Sequence, residues 1–347
     1  MEASLRLLGH FLDRMNADED KLKSMKDAAG PTEKAFWDES TDVFGALANK
    51  VIRGSQSPYL TRLTTKELKK VSSADLINSI KGLYDCRYDI SYTGNLSPAQ
   101  VAEMVSRQLP LLRGTQDNPY QERVLETPET RTVYVFDLPK SRQTILGLYR
   151  PLSGVVSDRD KACLKMWGEY FGGGMSSVLF QEVREFRSMA YSAQGVAMTP
   201  SLAATRGPCG YMALVATQAD KSMQAISVLD SLINDMPMNV ENLNVSRQSL
   251  LNDINNKYPT FRGKPLVVML SELRGYTHDA DAELVEQLPS LTQGDIEAFY
   301  NKYIKGQPYQ LMVVGPIKKL DLKELARYGT IVKVKKDDIY KTKAPKK

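Results

Sequence analysis

The feature that most constrains this chain is an internal repeat. Leu7, Leu8, Phe11, Leu12 and Met15 recur as Val228, Leu229, Leu232, Ile233 and Met236, each 221 positions later. Arg53-Gly54 recurs as Arg274-Gly275 at the same offset, and Ser72–Asp75 recurs as Thr292–Asp295 at 220. Both four-residue runs have the [ST]-x-x-[DE] form, in which a hydroxyl and a carboxylate satisfy free amides at a helix start. "YDISYTGN" and "YQLMVVGP" then place Gly94 and Gly315 221 residues apart. Each is a β-like run closed by a glycine turn and followed by another helix cap, Ser97-Pro98 or Asp321. Matches in one register with the same local physics describe a duplicated α+β unit.

The second copy shows what the first lacks. Ahead of Met223 it has two strand-like runs, "RTVYVFD" and "QTILGLYR", and a helix expected from about Asp158 to Tyr170. A glycine stretch, another helix and strands near 191–199 and 208–216 follow. The counterpart of Arg131 would fall about 90 residues ahead of Met1. The expectation is therefore part of a larger protein, because a sheet without its first strands leaves an unpaired edge and half a core. Residues 1–109 read as the later, mostly helical part of an incomplete first unit, and 110–129, with Pro119 and Pro128 as breakers, as a connector. Residues 130–335 read as a complete second unit and 336–347 as a lysine-rich, solvated tail.

Composition narrows the function classes. With 42% apolar and 25% charged residues the chain is of an ordinary globular type, and no apolar run is long enough for a membrane helix. The net charge of +5 is mild and gathers at the end, without the interleaved aromatics and arginines of a nucleic-acid surface. Glu2 stands where a secretory leader has a basic residue, and Leu5, Leu8, Phe11, Leu12 and Met15 share one face of an amphipathic helix. Cys86, Cys163 and Cys209 are too few and too scattered for a disulfide framework or a metal site.

One stretch carries the chemistry: "YFGGGMSSVLFQEVREFRSMAYS", Tyr170 to Ser192. Gly172, Gly173 and Gly174 read as a helix end that reaches positive φ and lets backbone pass close to another chain. Ser176 or Ser177 caps the next helix, whose Val178, Leu179 and Val183 face inward. Arg184 and Tyr191 lie seven residues apart, close to two helical turns, and share a face if that helix continues.

This stretch resembles the signature of the pitrilysin/insulinase-type zinc peptidases, the inverzincins, in the form carried by their non-catalytic repeats. The closing "YQLMVVGPIKKLDLKELARYG" resembles the end of such a chain. The resemblance covers about residues 130–335 and, less sharply, the helical part before them. It implies an α+β fold of tandem homologous metallopeptidase-like units, each a largely antiparallel sheet packed against helices, the first one incomplete here. It also implies that Arg184 and Tyr191 hydrogen-bond a substrate backbone and polarise its scissile carbonyl. Guanidinium and phenol donors suit that task. Gly172, Gly173 and Gly174 would border the substrate chamber and pair with an extended peptide by strand addition.

The metal motif of that family, H-x-x-E-H, pairs two histidines four apart on one helix face around a general-base Glu. It is not in this sequence. His10 is followed by "FLDRM", His278 lies in "RGYTHDAD", and the segment matching the motif, "MWGEYFGGG", holds Glu169 without a histidine. The region where a catalytic unit carries its distal ligand reads "DEDKLKSMKDAAGPTEKAFWDES", interrupted at Ala29–Pro31. The expectation is a chain with no catalytic residue and no cofactor of its own, the zinc belonging to a catalytic half. Its partners would be that half, in the same protein or as a zinc-bearing subunit, and a peptide substrate, with neither nucleic acid nor membrane. The alternative is a non-enzymatic scaffold or assembly subunit on the same fold.

Overall fold

A computed structural model describes residues 1–112, 114–117, 124–155, 157–198, 208–273 and 275–343. Arg274, Pro119 and the final residues 344–347, all invoked above, lie outside the described residues.

The first part of the chain is helical: α1 (Glu2–Asp13), α2 (Glu19–Asp38), α3 (Ser40–Arg53), α4 (Pro58–Thr61), α5 (Thr65–Leu68), α6 (Ser73–Lys81) and α7 (Pro98–Gln108). Then come β1 (Thr132–Asp137), β2 (Gln143–Leu152), α8 (Asp158–Gly168), π-helical turns at Glu169–Gly173 and Phe180–Glu185, β3 (Ala190–Met198) and β4 (Cys209–Gln218). The chain continues through α9 (Ser222–Asn234), α10 (Val240–Asn256), α11 (Lys264–Leu273), α12 (Ala280–Gln287) and α13 (Gln293–Tyr303). It closes with β5 (Gln310–Gly315), α14 (Leu322–Leu325), β6 (Thr330–Lys333) and α15 (Lys336–Ile339).

The six strands form one sheet in the order β3-β4-β2-β5-β1-β6. It is mixed, with three antiparallel pairings and two parallel ones. β2 pairs antiparallel with β4 and β5, and β3 with β4, whereas β1 runs parallel to both β5 and β6. The parallel pairs arise because long helical excursions return the chain to the sheet in the direction of β1, which a tight hairpin cannot do. All six residues of β5 are buried, as expected for a central strand covered on both faces.

Alternation along the strands divides the core in two. One face, carrying Val133, Val135, Leu146, Leu148, Tyr211, Val215 and Val313, packs with residues of α8, α9, α13 and the π-helical turns. The opposite face, with Phe136, Ile145, Tyr149, Met312 and Val314, receives Val43, Phe44, Leu47 and Val51 of α3. A helix from the first part of the chain therefore completes the core of the second. Ile339 and Tyr340 are buried in the same layer beside Phe36 and Trp37, and Lys341 pairs with Glu67 at 3.0 Å. The segment from Lys336 to Lys341 is thus docked on the helical part and is not a solvated tail. Its two apolar side chains decide this against its lysines.

The repeat is visible in the helices. Shifted by 221 residues, α1, α2 and α3 overlay the sequence spans of α9, α10 and α11, and α6 matches α13 at 220. Ser72–Asp75 and Thr292–Asp295 both form reciprocal capping boxes, and Ser97 and Asp321 both accept amides at a helix start. Gly54 and Gly275 both have positive φ, 56° and 80°, so this pair of glycines shares one backbone role.

Two expectations fail in informative ways. "YDISYTGN" is not a strand, although its counterpart is β5; its neighbourhood forms a single bridge, Cys86 to Gln116. β5 is held between β2 and β1, and the first part of the chain has no described strands that would hold this run in the same way. Nor do Ala29–Pro31 interrupt α2, which continues from Glu19 to Asp38 with Pro31 inside it. Proline removes one intrahelical hydrogen bond, and here the helix continues across it into Phe36 and Trp37, which pack on the core.

Candidate functional site

The site follows from how the chain turns between α8 and β3. α8 starts at Ser157, whose side chain accepts the Asp160 amide, and runs inward through buried Leu164, Met166 and Trp167. It continues as a π-helical turn through Tyr170, Phe171 and Gly172 to Gly173, three residues beyond the expected end at Tyr170. Ser177, fully buried, then accepts the Phe180 amide at 3.4 Å and opens the next segment. Val178, Leu179 and Val183 all face inward as expected.

None of Gly172, Gly173 and Gly174 has positive φ, so the helix-ending explanation does not apply to them. Close packing explains the first two. A Cβ at Gly172 would lie 2.6 Å from the Gly195 nitrogen of β3 and 2.7 Å from the Tyr211 hydroxyl of β4. A Cβ at Gly195 would lie 1.9 Å from that hydroxyl. The two glycines let the π-helical turn rest directly on β3, with Tyr211 filling the space between. A Cβ at Gly173 would meet the Glu169 carboxylate at 2.0 Å, whereas one at Gly174 would have 3.6 Å to its nearest neighbour.

Sequence reasoning set Glu169 aside because it lacked a histidine partner, but the fold puts it under this glycine turn. Its carboxylate accepts from the Ser249 hydroxyl at 3.1 Å. Burial, helped by the Asp253 charge, raises its pKa above the ordinary range. Tyr211 is fully buried, and burial together with the nearby Glu169 charge drives its phenol far up. The interior glycine at 195 was the available signal, since glycine inside a strand marks a close backbone approach.

Arg184 and Tyr191 do come together, by a different route from a continued helix. The helical turn ends at Glu185, Ser188 takes a positive φ of 48°, and the chain enters β3. The register of β3 against β4 slips between Ala190 and Ser192, leaving Tyr191 as a bulged residue. Bulges re-aim side chains, and Tyr191 is 85% exposed. The Arg184 guanidinium sits 4.7 Å from the Phe180 ring centroid and 5.8 Å from that of Tyr191, bridging the helical turn and the strand. Its Nε also lies 3.5 Å from the Glu185 carboxylate. Phe180 was not foreseen, although its i, i+4 spacing to Arg184 was legible. The pair stands at β3, the end strand of the sheet, whose one strand neighbour is β4. An exposed phenol, an arginine held by two rings and an edge strand together offer hydrogen-bond donors to an extended backbone.

Neither histidine belongs to this constellation. His10 is on α1, and His278 meets the Glu283 carboxylate at 2.7 Å on the surface of the α12 region. Among the described residues there is no group of three or more His, Cys, Asp and Glu side chains that could hold a metal ion. Among them, too, no helix is long and apolar enough to cross a membrane.

Comparison with known proteins gives the same direction. The model of the peptidase M16 inactive domain matches residues 87–250. Among solved structures, a peptidase M16 inactive domain from Pseudomonas fluorescens superposes with a TM-score of 0.68 at 17% identity, over 91% of this chain and 75% of that one. A conserved protein from Enterococcus faecalis V583 gives 0.71 at 15%, over 92% and 75%. The periplasmic protease PqqL from Escherichia coli gives 0.67 at 12%, over 91% of this chain but 35% of its own. At these identities the superpositions speak to fold. No curated protein sequence matches. Family match, glycine-rich signature and α+β architecture agree: residues 87–250 correspond to the inactive domain of the M16 peptidases, and the chain shares the fold of such domains.

Proposed function

We propose that this chain is the substrate-binding, non-catalytic half of an insulinase-type zinc metalloendopeptidase. It holds an extended peptide at β3 while a separate half supplies the zinc. The observation that carries the reading is the exposed Tyr191 ring at a strand bulge, with the Arg184 guanidinium held across it. A large aromatic kept almost entirely in water beside an edge strand adds nothing to the core. As a peptide contact it supplies a donor and a flat apolar face. Gly172, Gly173 and Gly174 support the site from below by letting the π-helical turn seat against β3, rather than by touching the peptide. The similarity in fold to a periplasmic protease agrees with a role in proteolysis.

The scaffold reading has one observation in its favour. Arg184 already has structural partners in Phe180 and Glu185, so its retention does not require a substrate. The two readings separate in an assay of the chain mixed with a zinc-bearing half and an internally quenched peptide. Arg184→Ala is expected to lower kcat/KM by about tenfold to a hundredfold, the loss of one or two charge-assisted hydrogen bonds. Unchanged turnover in both Arg184→Ala and Tyr191→Phe would eliminate the peptide-contact role.

A further inference from the structure

Burial on the α3 face of the sheet falls away strand by strand toward β3. On β2, Ile145 and Tyr149 are 2% and 0% exposed, and the Phe44 ring of α3 lies over Gly147 between them. On β4, their register partners Ala216 and Met212 are only half-buried, as is Leu214 opposite Gly147. On β3, Gln194 and Val196 stand opposite Leu214 and Met212, and both are exposed, Val196 at 59%. The other face of the same two strands shows no such gradient. Ala193, Tyr211, Ala213 and Val215 are all buried there, beneath α8 and the π-helical turns.

The gradient leaves a shelf that starts where the cover of α3 ends and runs out to the edge of the sheet. Val196, Met198, Met212, Leu214 and Ala216 make it apolar; Ser192 and Gln194 are its polar side chains, and none of these residues is charged. Met198, Met212 and Leu214 touch the rim of the core layer under α3, so the shelf is continuous with that core. It is also continuous with the open edge of β3, beside which Tyr191 and Arg184 stand.

A strand added to β3 would lie about 4.8 Å from it and send successive side chains to opposite faces. One set falls beside Gln194 and Val196 and prolongs the shelf, where apolar side chains gain cover and charged ones lose water. The other set falls on the side of the π-helical turn Phe180–Glu185, which packs on β3 and carries Glu182, Arg184 and Glu185. Polar and charged side chains find partners there. We propose that the peptide held at β3 is selected for alternation, its apolar side chains lying along the shelf beside Val196, Met212 and Leu214 and its polar ones facing the charged turn. Given a peptide on β3, as proposed above, the substrate class is any segment able to form an amphipathic strand, and the order of its residues matters more than its composition.

The test uses the full chain and direct binding, with no turnover. Two labelled peptides as long as β3 share one composition of valine, serine and lysine. In one, valine alternates with the polar residues; in the other, the valines are gathered in one half. By fluorescence anisotropy the alternating peptide is expected to bind about tenfold more tightly, the sum of two or three favourable cross-strand neighbours. Val196→Glu should remove that preference and Val196→Leu should keep it; the side chain is exposed, so neither change disturbs the core. Amide hydrogen exchange in residues 190–198 should slow on binding, which locates the peptide at this edge. Equal affinity for the two peptides, both lost in Arg184→Ala, would leave the peptide site standing and overturn the selection for alternation. A preference that Val196→Glu does not reduce, or slowed exchange elsewhere than β3, would overturn it as well. Binding of neither peptide would overturn both readings. A dimer of the unliganded chain that Val196→Glu dissociates would make a second copy the occupant of the shelf and overturn the proposal.

Discussion

The three consecutive glycines give a graded prediction, because the structure assigns each a different neighbour. At Gly172 an added methyl would lie 2.6 Å from the Gly195 nitrogen and 2.9 Å from its Cα. Both are backbone atoms of a strand pinned in register to β4, so neither can rotate away. Forcing a methyl into such a contact typically costs about 1–3 kcal/mol, and the upper part of that range is expected where only backbone can yield. At Gly173 the obstacle is the end of the Glu169 side chain, which can turn, so the cost should be nearer 1 kcal/mol. At Gly174 the nearest atom is 3.6 Å away and the backbone is extended, with φ −157° and ψ −174°, which alanine adopts freely. Gly174→Ala should therefore be neutral, or stabilising by about 0.4–1 kcal/mol through the unfolded chain. In urea denaturation of the three alanine variants the order of midpoints should be Gly174→Ala highest, then Gly173→Ala, then Gly172→Ala. Thermal midpoints should follow, with Gly172→Ala lower than the parent by about 3 °C for a cost near 2 kcal/mol, since a chain of 347 residues unfolds with an entropy of about 0.7 kcal/mol/K. Hydrogen exchange in Gly172→Ala should quicken first around Gly195. Equal effects at all three positions would show that the close approach of the π-helical turn to β3 is not what requires these glycines.

Three further outcomes are expected. Burial holds the Glu169 carboxyl above its ordinary value of 4.5, so its cost to the folded state is absent below that pH and appears as pH rises through the raised value. Glu169→Gln should accordingly stabilise the protein at neutral pH and lose that advantage near about pH 4 in a melting series, and a difference that ignores pH would contradict the assignment. Burial pushes the Cys163 thiol up to about 11 and raises that of Cys209, so an aromatic disulfide reagent at pH 8 should label Cys86 alone in the native protein and all three after unfolding. The Phe44 ring enters the space left by Gly147, where an added Cβ would be 2.5 Å from its Cζ; Phe44→Ala should cost about 3–5 kcal/mol in chemical denaturation, and a loss under 1 kcal/mol would mean that α3 does not complete the core of the sheet.

Local signals in the chain were enough to reveal its periodic parts. The capping boxes at Ser72 and Thr292, the turns at Gly54 and Gly275, and the apolar stripe shared by α1 and α9 each depend on residues a few positions apart, so they act alike in both repeats. For the same reason the signature from Tyr170 to Ser192 carried the family likeness unaided. Long-range partners decided the rest. Whether "YDISYTGN" or "YQLMVVGP" becomes a strand depends on β1 and β2 being there to flank it, and no residue inside either run records that. The docking of Ile339 and Tyr340 depends on aromatic rings some 300 residues earlier, which outweigh the local lysines. Arg184 meets Tyr191 only because a bulge against β4 turns the ring outward, and Gly172 is required only because Gly195 and Tyr211 arrive beneath it. Sequence encodes what neighbours along the chain can settle between themselves; contacts between distant segments are settled by which surfaces the folded backbone brings within reach.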